Sequence, residues 1–164
     1  MKRLLPIVIT MLLAAFTASA RNCHDRRQPR SPYFVADNKV FFEGHGIEGA
    51  SASSFEILRD GYAKDAWSVY YNGEKIADAS SSSFRTLGYG YAKDSWKVYY
   101  NGVGLDGASP NSFKVLSDWY AKDTWAVYCD GVKIDGASPD SFRVLKHGYA
   151  KDTWSTYYYG RKID

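Results

Sequence analysis

The chain has 164 residues with 21 basic and 18 acidic side chains, and 16% of it is aromatic, led by 14 Tyr. A formal net charge of +3 gives no basis for nucleic-acid or membrane-surface binding through bulk charge. The two Cys, Cys23 and Cys129, are far apart in sequence, which excludes a Cys-x-x-Cys redox site.

Residues 1–20 read as a secretory signal peptide. Lys2 and Arg3 form a basic start, Leu4 to Phe16 is apolar apart from Pro6 and Thr10, and Ala18-Ser19-Ala20 is a small-residue cleavage site. The apolar run is too short to span a bilayer. The expected location is therefore periplasmic or secreted, with no stable membrane insertion after cleavage. Residues 21–32 form a basic leader with little to bury, expected to be flexible. An oxidising compartment permits a disulfide, and Cys23–Cys129 is the expected pair.

Residues 33–164 are a repeat domain. Tyr62 to Gly73 reads YAKDAWSVYYNG, Tyr91 to Gly102 YAKDSWKVYYNG, Tyr120 to Gly131 YAKDTWAVYCDG, and Tyr149 to Gly160 YAKDTWSTYYYG. Phe34 to Gly44 is a degenerate first copy. Taking Asp37, Asp65, Asp94, Asp123 and Asp152 as equivalent gives spacings of 28 and then 29 residues. A fixed period of this length signals a repeat architecture.

Trp96 to Tyr100 is rich in β-branched and aromatic residues and reads as a strand. Alternation puts Trp96, Val98 and Tyr100 on one face, expected to form the core with residues of the Phe113 and Leu116 type. Asn101-Gly102 then predicts a tight hairpin, with a short return strand. A turn containing Pro110 follows, and Phe113 to Leu116 reads as a further strand. Each unit is thus about three short antiparallel strands, and the fold class is all-β. A unit this small cannot bury its own apolar face, so neighbours must stack. Propeller blades need ~40–45 residues. An open array or solenoid is therefore expected, with a small closed ring as the alternative.

The tandem Asp followed by Val-Tyr-Tyr-x-Gly resembles the DKNYY family of exported bacterial proteins, over roughly residues 33–164. Here Lys precedes the Asp, as in Lys93-Asp94, and a Trp has entered at Trp96. The resemblance implies no established activity and no catalytic residues to carry over.

Little in the residues suggests chemistry. The repeated Lys-Asp pairs are explained by turn formation. His24, His45 and His147 have no metal-ligand spacing. The Ser runs lack a nucleophile motif, and the four Glu do not recur. No catalysis, cofactor or metal is expected. Two surfaces stand out instead. Tyr70, Tyr99, Tyr128 and Tyr157 alternate with the expected core and form a Tyr stripe, either an exposed platform or a second buried layer. Trp119 stands where the other units have Gly61, Gly90 and Gly148, so the repeat does not require it. The expected function is binding of a protein partner in the cell envelope, as by an inhibitor or immunity-type protein. The alternative is a glycan or cell-wall module using the Tyr stripe.

Overall fold

The computed structural model describes Ser31–Asp164. The signal-peptide segment, the leader as far as Arg30, and Cys23 lie outside these residues. Tyr33–Ala36 (β1), Lys39–Phe42 (β2) and His45–Gly46 (β3) form a three-stranded sheet. Four sheets of four strands follow, each an antiparallel meander. The second is Glu56–Ile57 (β4), Tyr62–Lys64 (β5), Val69–Tyr71 (β6) and Glu74–Ile76 (β7). The third is Arg85–Gly88 (β8), Tyr91–Lys93 (β9), Val98–Tyr100 (β10) and Val103–Leu105 (β11). The fourth is Lys114–Val115 (β12), Tyr120–Lys122 (β13), Val127–Cys129 (β14) and Val132–Lys133 (β15). The fifth is Arg143–Val144 (β16), Tyr149–Lys151 (β17), Thr156–Tyr158 (β18) and Arg161–Lys162 (β19). The protein is all-β, and among the described residues no sheet closes on itself.

The units have four strands rather than three, because Tyr-Ala-Lys forms a strand of its own. In the third sheet it pairs with the Tyr-Tyr strand as Tyr91↔Tyr100, Ala92↔Tyr99 and Lys93↔Val98. The hairpins turn where Asn-Gly predicts. Asn101 and Gly102 have φ of 47° and 80°, the two positive values of a type I′ turn. A Cβ on Gly102 would stand 2.7 Å from the Tyr71 ring, so the neighbouring unit also requires glycine there.

Both faces of each inner sheet are buried. Tyr62, Val69 and Tyr71 pack forward on Phe84, Ala92 and Tyr99 of the next unit. Ala63 and Tyr70 pack backward on Tyr33 and Phe42. The linker phenylalanine fills the gap between sheets, with Phe84 5.5 Å from both the Tyr62 and Tyr99 ring centroids. A tyrosine hydroxyl locks each junction. Tyr62 Oη donates to the Gly90 carbonyl at 3.0 Å and accepts from the Gly102 N–H at 2.9 Å. Tyr120 does the same with Gly148 and Gly160. Tyr33 repeats it with Gly61 and Gly73. Each such bond contributes about 0.5–1.5 kcal/mol net.

This arrangement corrects the expected core. Val69, Val98 and Val127 are buried and the equivalent Thr156 is half-buried, but Trp96 is exposed, as are Leu116 and Leu145. It also corrects the alignment of the first unit. Tyr33↔Phe42 and Ala36↔Lys39 are paired, so Ala36, not Asp37, occupies the position of Asp65. The spacing is 29 residues throughout, measured from Tyr33 to Tyr62. Asp37 and Asn38 form a turn of their own, with φ of 49° and 58°.

Candidate functional site

The site grows from the corner that joins the two central strands of each unit. Lys64 pairs with Val69, leaving Asp65-Ala66-Trp67-Ser68 as a four-residue turn closed by the Asp65 N–H to the Ser68 carbonyl at 2.9 Å. Asp is favoured at the first position of such a turn because its carboxylate accepts nearby backbone N–H groups. Asp65 Oδ1 accepts from the N–H groups of Trp67 and Ser68, at 2.8 and 2.7 Å. Its Oδ2 accepts from the Ser51 N–H at 2.8 Å and the Tyr70 hydroxyl at 2.9 Å. One buried carboxylate thus ties its turn, its strand and the preceding linker together. Asp94 binds Ser80, Trp96, Lys97 and Tyr99 in the same way. Asp123 and Asp152 repeat the pattern.

The remaining N–H of the turn is also held. Ala66, Ser95, Thr124 and Thr153 donate to the hydroxyls of Ser54, Ser83, Ser112 and Ser141 at 3.1–3.2 Å. The linker serines therefore brace the corner from outside. Burial alone would push the Asp65, Asp94 and Asp152 carboxyls upward, but the four donors outweigh it and hold them below the usual value. The tyrosines shift the other way. Burial, followed by the bond to the aspartate, pushes Tyr70 up to about 12, so its hydroxyl stays a donor.

Each corner presents a tryptophan to solvent. Trp67, Trp96, Trp125 and Trp154 are 82%, 81%, 77% and 80% exposed. This series of one indole per unit, the tryptophan ladder, stands on a backbone with every turn N–H bonded. Shallow clefts adjoin the third and fourth corners. One is lined by Arg85, Lys93, Asp94 and Ser95, the residue before Trp96. The other is lined by the equivalents Lys114, Lys122, Asp123 and Thr124.

The residues singled out from sequence are placed differently. Tyr70, Tyr99, Tyr128 and Tyr157 are only 1–2% exposed, so the stripe is a buried layer between units and not an open platform. Trp119 is 39% exposed and stands edge-on to Tyr159, with ring centroids 5.0 Å apart. It does not adopt the positive φ of the glycines it replaces; the Ser117 hydroxyl rebuilds the turn by accepting from the N–H groups of Trp119 and Tyr120. Cys129 is a buried free thiol under Gly160, in the place of Tyr71 and Tyr100, and burial pushes it up to about 11. No disulfide is seen among the described residues, and Cys23 lies outside them. Among the same residues no cluster of three or more His, Cys, Asp or Glu could hold a metal.

Residue preference alone hides the ladder, because it makes tryptophan the first residue of a strand. The available signal was the Asp two positions earlier, which makes Asp-x-Trp-x a turn and sends the Trp to its tip.

No curated protein and no solved structure matches the chain. The sequence profile of the DKNYY family matches residues 33–161, from the first strand of the array into its last. The chain belongs to the DKNYY family.

Proposed function

We propose that this is an exported, non-catalytic repeat module that binds a glycan polymer of the cell envelope through its tryptophan ladder. The observation that carries the reading is the exposure of four equivalent tryptophans, 77–82% each. Burying one aromatic side chain of this kind would contribute ~1.5–3 kcal/mol, and the fold forgoes that at every rung. Nor does the repeat depend on the indole, since Asn38 takes its place in the first sheet. Evenly repeated exposed aromatics suit a ligand that is itself repeated, because several weak contacts along one chain combine into useful avidity. Stacked sheets lie ~10 Å apart, about the length of two linked sugar rings. The export reading rests on the pattern of Lys2 to Ala20. The non-catalytic reading is supported by the recurring carboxylates, each already accepting its four hydrogen bonds.

A protein partner is the second reading, favoured by one feature. Trp119 and Tyr159 form an exposed aromatic pair at a single place in the array, as a unique docking surface would require.

Co-sedimentation with isolated cell-wall sacculi separates the two readings. The chain is expected to pellet with the wall, and Trp96→Ala with Trp125→Ala is expected to release it, while Trp119→Ala has no effect. Wall binding that survives loss of the ladder removes the glycan reading. Capture of one envelope protein at fixed stoichiometry, abolished by Trp119→Ala, would establish the second.

A further inference from the structure

Beside the tryptophans, the cross-strand pairing sets like charges against each other. The first residue of each linker strand pairs with the Lys of Tyr-Ala-Lys. In the second unit the pair is Glu56↔Lys64, and the carboxylate meets the amine at 3.6 Å. In the next three units the pairs are Arg85↔Lys93, Lys114↔Lys122 and Arg143↔Lys151. Like charges placed directly opposite destabilise a sheet, and opposite charges stabilise it. The second unit demonstrates that this backbone accepts a glutamate, so three units hold a less stable arrangement than the fold allows.

The basic pairs lie where a ligand on the ladder would reach them. Arg85 and Lys93 line the cleft that includes Ser95, next to Trp96, together with Asp94, whose carboxylate is already taken by its four donors. Lys114 and Lys122 line the one that includes Thr124, next to Trp125, together with the four-bonded Asp123 and with Asp140. The charge is partly recessed. Lys93 is buried, with its amine donating to the Pro110 carbonyl, and Lys122 donates to the Pro139 carbonyl at 2.6 Å. Burial, followed by the charge of Arg85, lowers the Lys93 amine below its usual value. An anion in the cleft would relieve this repulsion. A flat bilayer would meet the protruding indoles and leave the recessed Lys93 and Lys122 amines behind, whereas a linear chain with acidic side groups can lie on the indoles and send its acids inward.

We infer that the ligand of the ladder is a polyanionic glycan, its sugar faces resting on the tryptophans and its acidic groups received by the basic pairs of the third, fourth and fifth units. This rests on the ladder being the binding surface, and the test separates the two ideas. The purified chain is applied to immobilised polygalacturonate, alginate and chondroitin sulfate, and to methyl-esterified polygalacturonate as the uncharged counterpart. Phosphatidylglycerol vesicles and a single-stranded DNA oligomer are run beside them.

The expected result is retention on at least one acidic polysaccharide, with little on the ester. Raising the ionic strength from ~0.05 to ~0.5 M should weaken retention by at least ~10-fold, since screening shortens the reach of exposed charge. The variant Arg85→Glu, Lys114→Glu, Arg143→Glu copies the second unit's pairing. It should lose retention while unfolding at an equal or higher urea concentration, a combination that a purely structural role for these residues would not produce. The corresponding triple Gln variant should lose retention with less change in stability, which guards against misfolding of the first.

Equal, salt-insensitive binding of the charged and esterified polymers would overturn the inference and leave the ladder reading standing. Retention that survives the Glu variant but disappears when Arg21, Arg26, Arg27 and Arg30 become Gln would assign the binding to the leader and overturn it. Stronger binding to the vesicles or the DNA would overturn it in favour of those ligands. Absence of binding to every polymer, charged or neutral, would remove the ladder reading as well.

Discussion

The first sheet and the four that follow share a backbone but not a corner. Tyr33 locks to Gly61 and Gly73 as Tyr62 locks to Gly90 and Gly102, so the junction between units is the same. The corners differ throughout. Where the later units have a four-bonded aspartate and an exposed tryptophan, the first has Ala36, at the end of its strand, and Asn38, in the positive-φ turn Asp37-Asn38. Where they carry a Phe strand from the preceding linker, the first sheet carries none among the described residues. Stacking therefore needs the Tyr–Gly lock and the hairpin, while the Asp corner and its tryptophan are a separable addition. A residue that the scaffold can omit, yet exposes in four units, is better explained by binding than by folding.

Acid should break this contrast most severely. The Asp65, Asp94 and Asp152 carboxyls are held below their ordinary value in the folded chain by the N–H and hydroxyl donors around them. A carboxyl with a depressed folded value adds stability that is complete well above its unfolded value and is lost as pH falls through the folded one. The urea midpoint should therefore hold steady from pH 7 to ~5 and fall increasingly below pH ~4. Hydrogen exchange should show the second, third and fifth units opening before the first sheet. A flat profile down to pH ~2 would mean that these carboxylates are not the braces described.

Removing one corner should come next. Asp94→Ala strands the N–H groups of Ser80, Trp96 and Lys97 and the hydroxyl of Tyr99. A loss of ~3 kcal/mol or more is expected, since bonds to a charged acceptor contribute ~1.5–3 kcal/mol each and the losses do not add fully. The reverse change in the first sheet, Ala36→Asp, should alter stability by less than ~0.5 kcal/mol, because its turn is of another type. A large gain there would show that the corners are interchangeable and blunt the comparison.

Breaking the shared lock should have a moderate effect. Tyr62→Phe leaves the Gly90 carbonyl and the Gly102 N–H without their partner, at a cost of about 1–3 kcal/mol. Tyr33→Phe should cost less, since its lock is only part-buried and its bond to Gly61 is longer, at 3.3 Å. Both are read from urea midpoints. The smallest change in stability is expected from the ladder itself. Trp96→Ala and Trp125→Ala should shift the midpoint by less than ~0.5 kcal/mol each while weakening polymer binding. If they unfold the chain, the indoles are structural and the binding proposal loses its main support.

Much of the architecture was legible in the residues. The period exposed the units, the Asn-Gly and Asp-Gly pairs placed the hairpins, and the unit length favoured an open array. These are local properties, set by the φ that glycine permits and by the pleat of a strand. The Asp-x-Trp-x turn was legible too, had the aspartate been given more weight than the strand preference of tryptophan. The faces were harder. Alternation separates Val98 from Tyr99, but it leaves open whether the second face is an exposed platform or a second buried layer. Here each inner sheet has a neighbour on both sides, so Val98 packs forward, Tyr99 packs backward, and both are buried.

The hairpins and the all-β class are legible in the residues because they follow from the pattern within a single unit, and the repeat and the family resemblance because that pattern recurs. The stacking of the units settles the rest: the tyrosine stripe is interior, the tryptophans are exposed, Ala36 stands where Asp65 does, and three basic pairs face each other across their strands. Those outcomes depend on how one unit is laid against the next. A period states that neighbours exist; it does not state which side chains they cover.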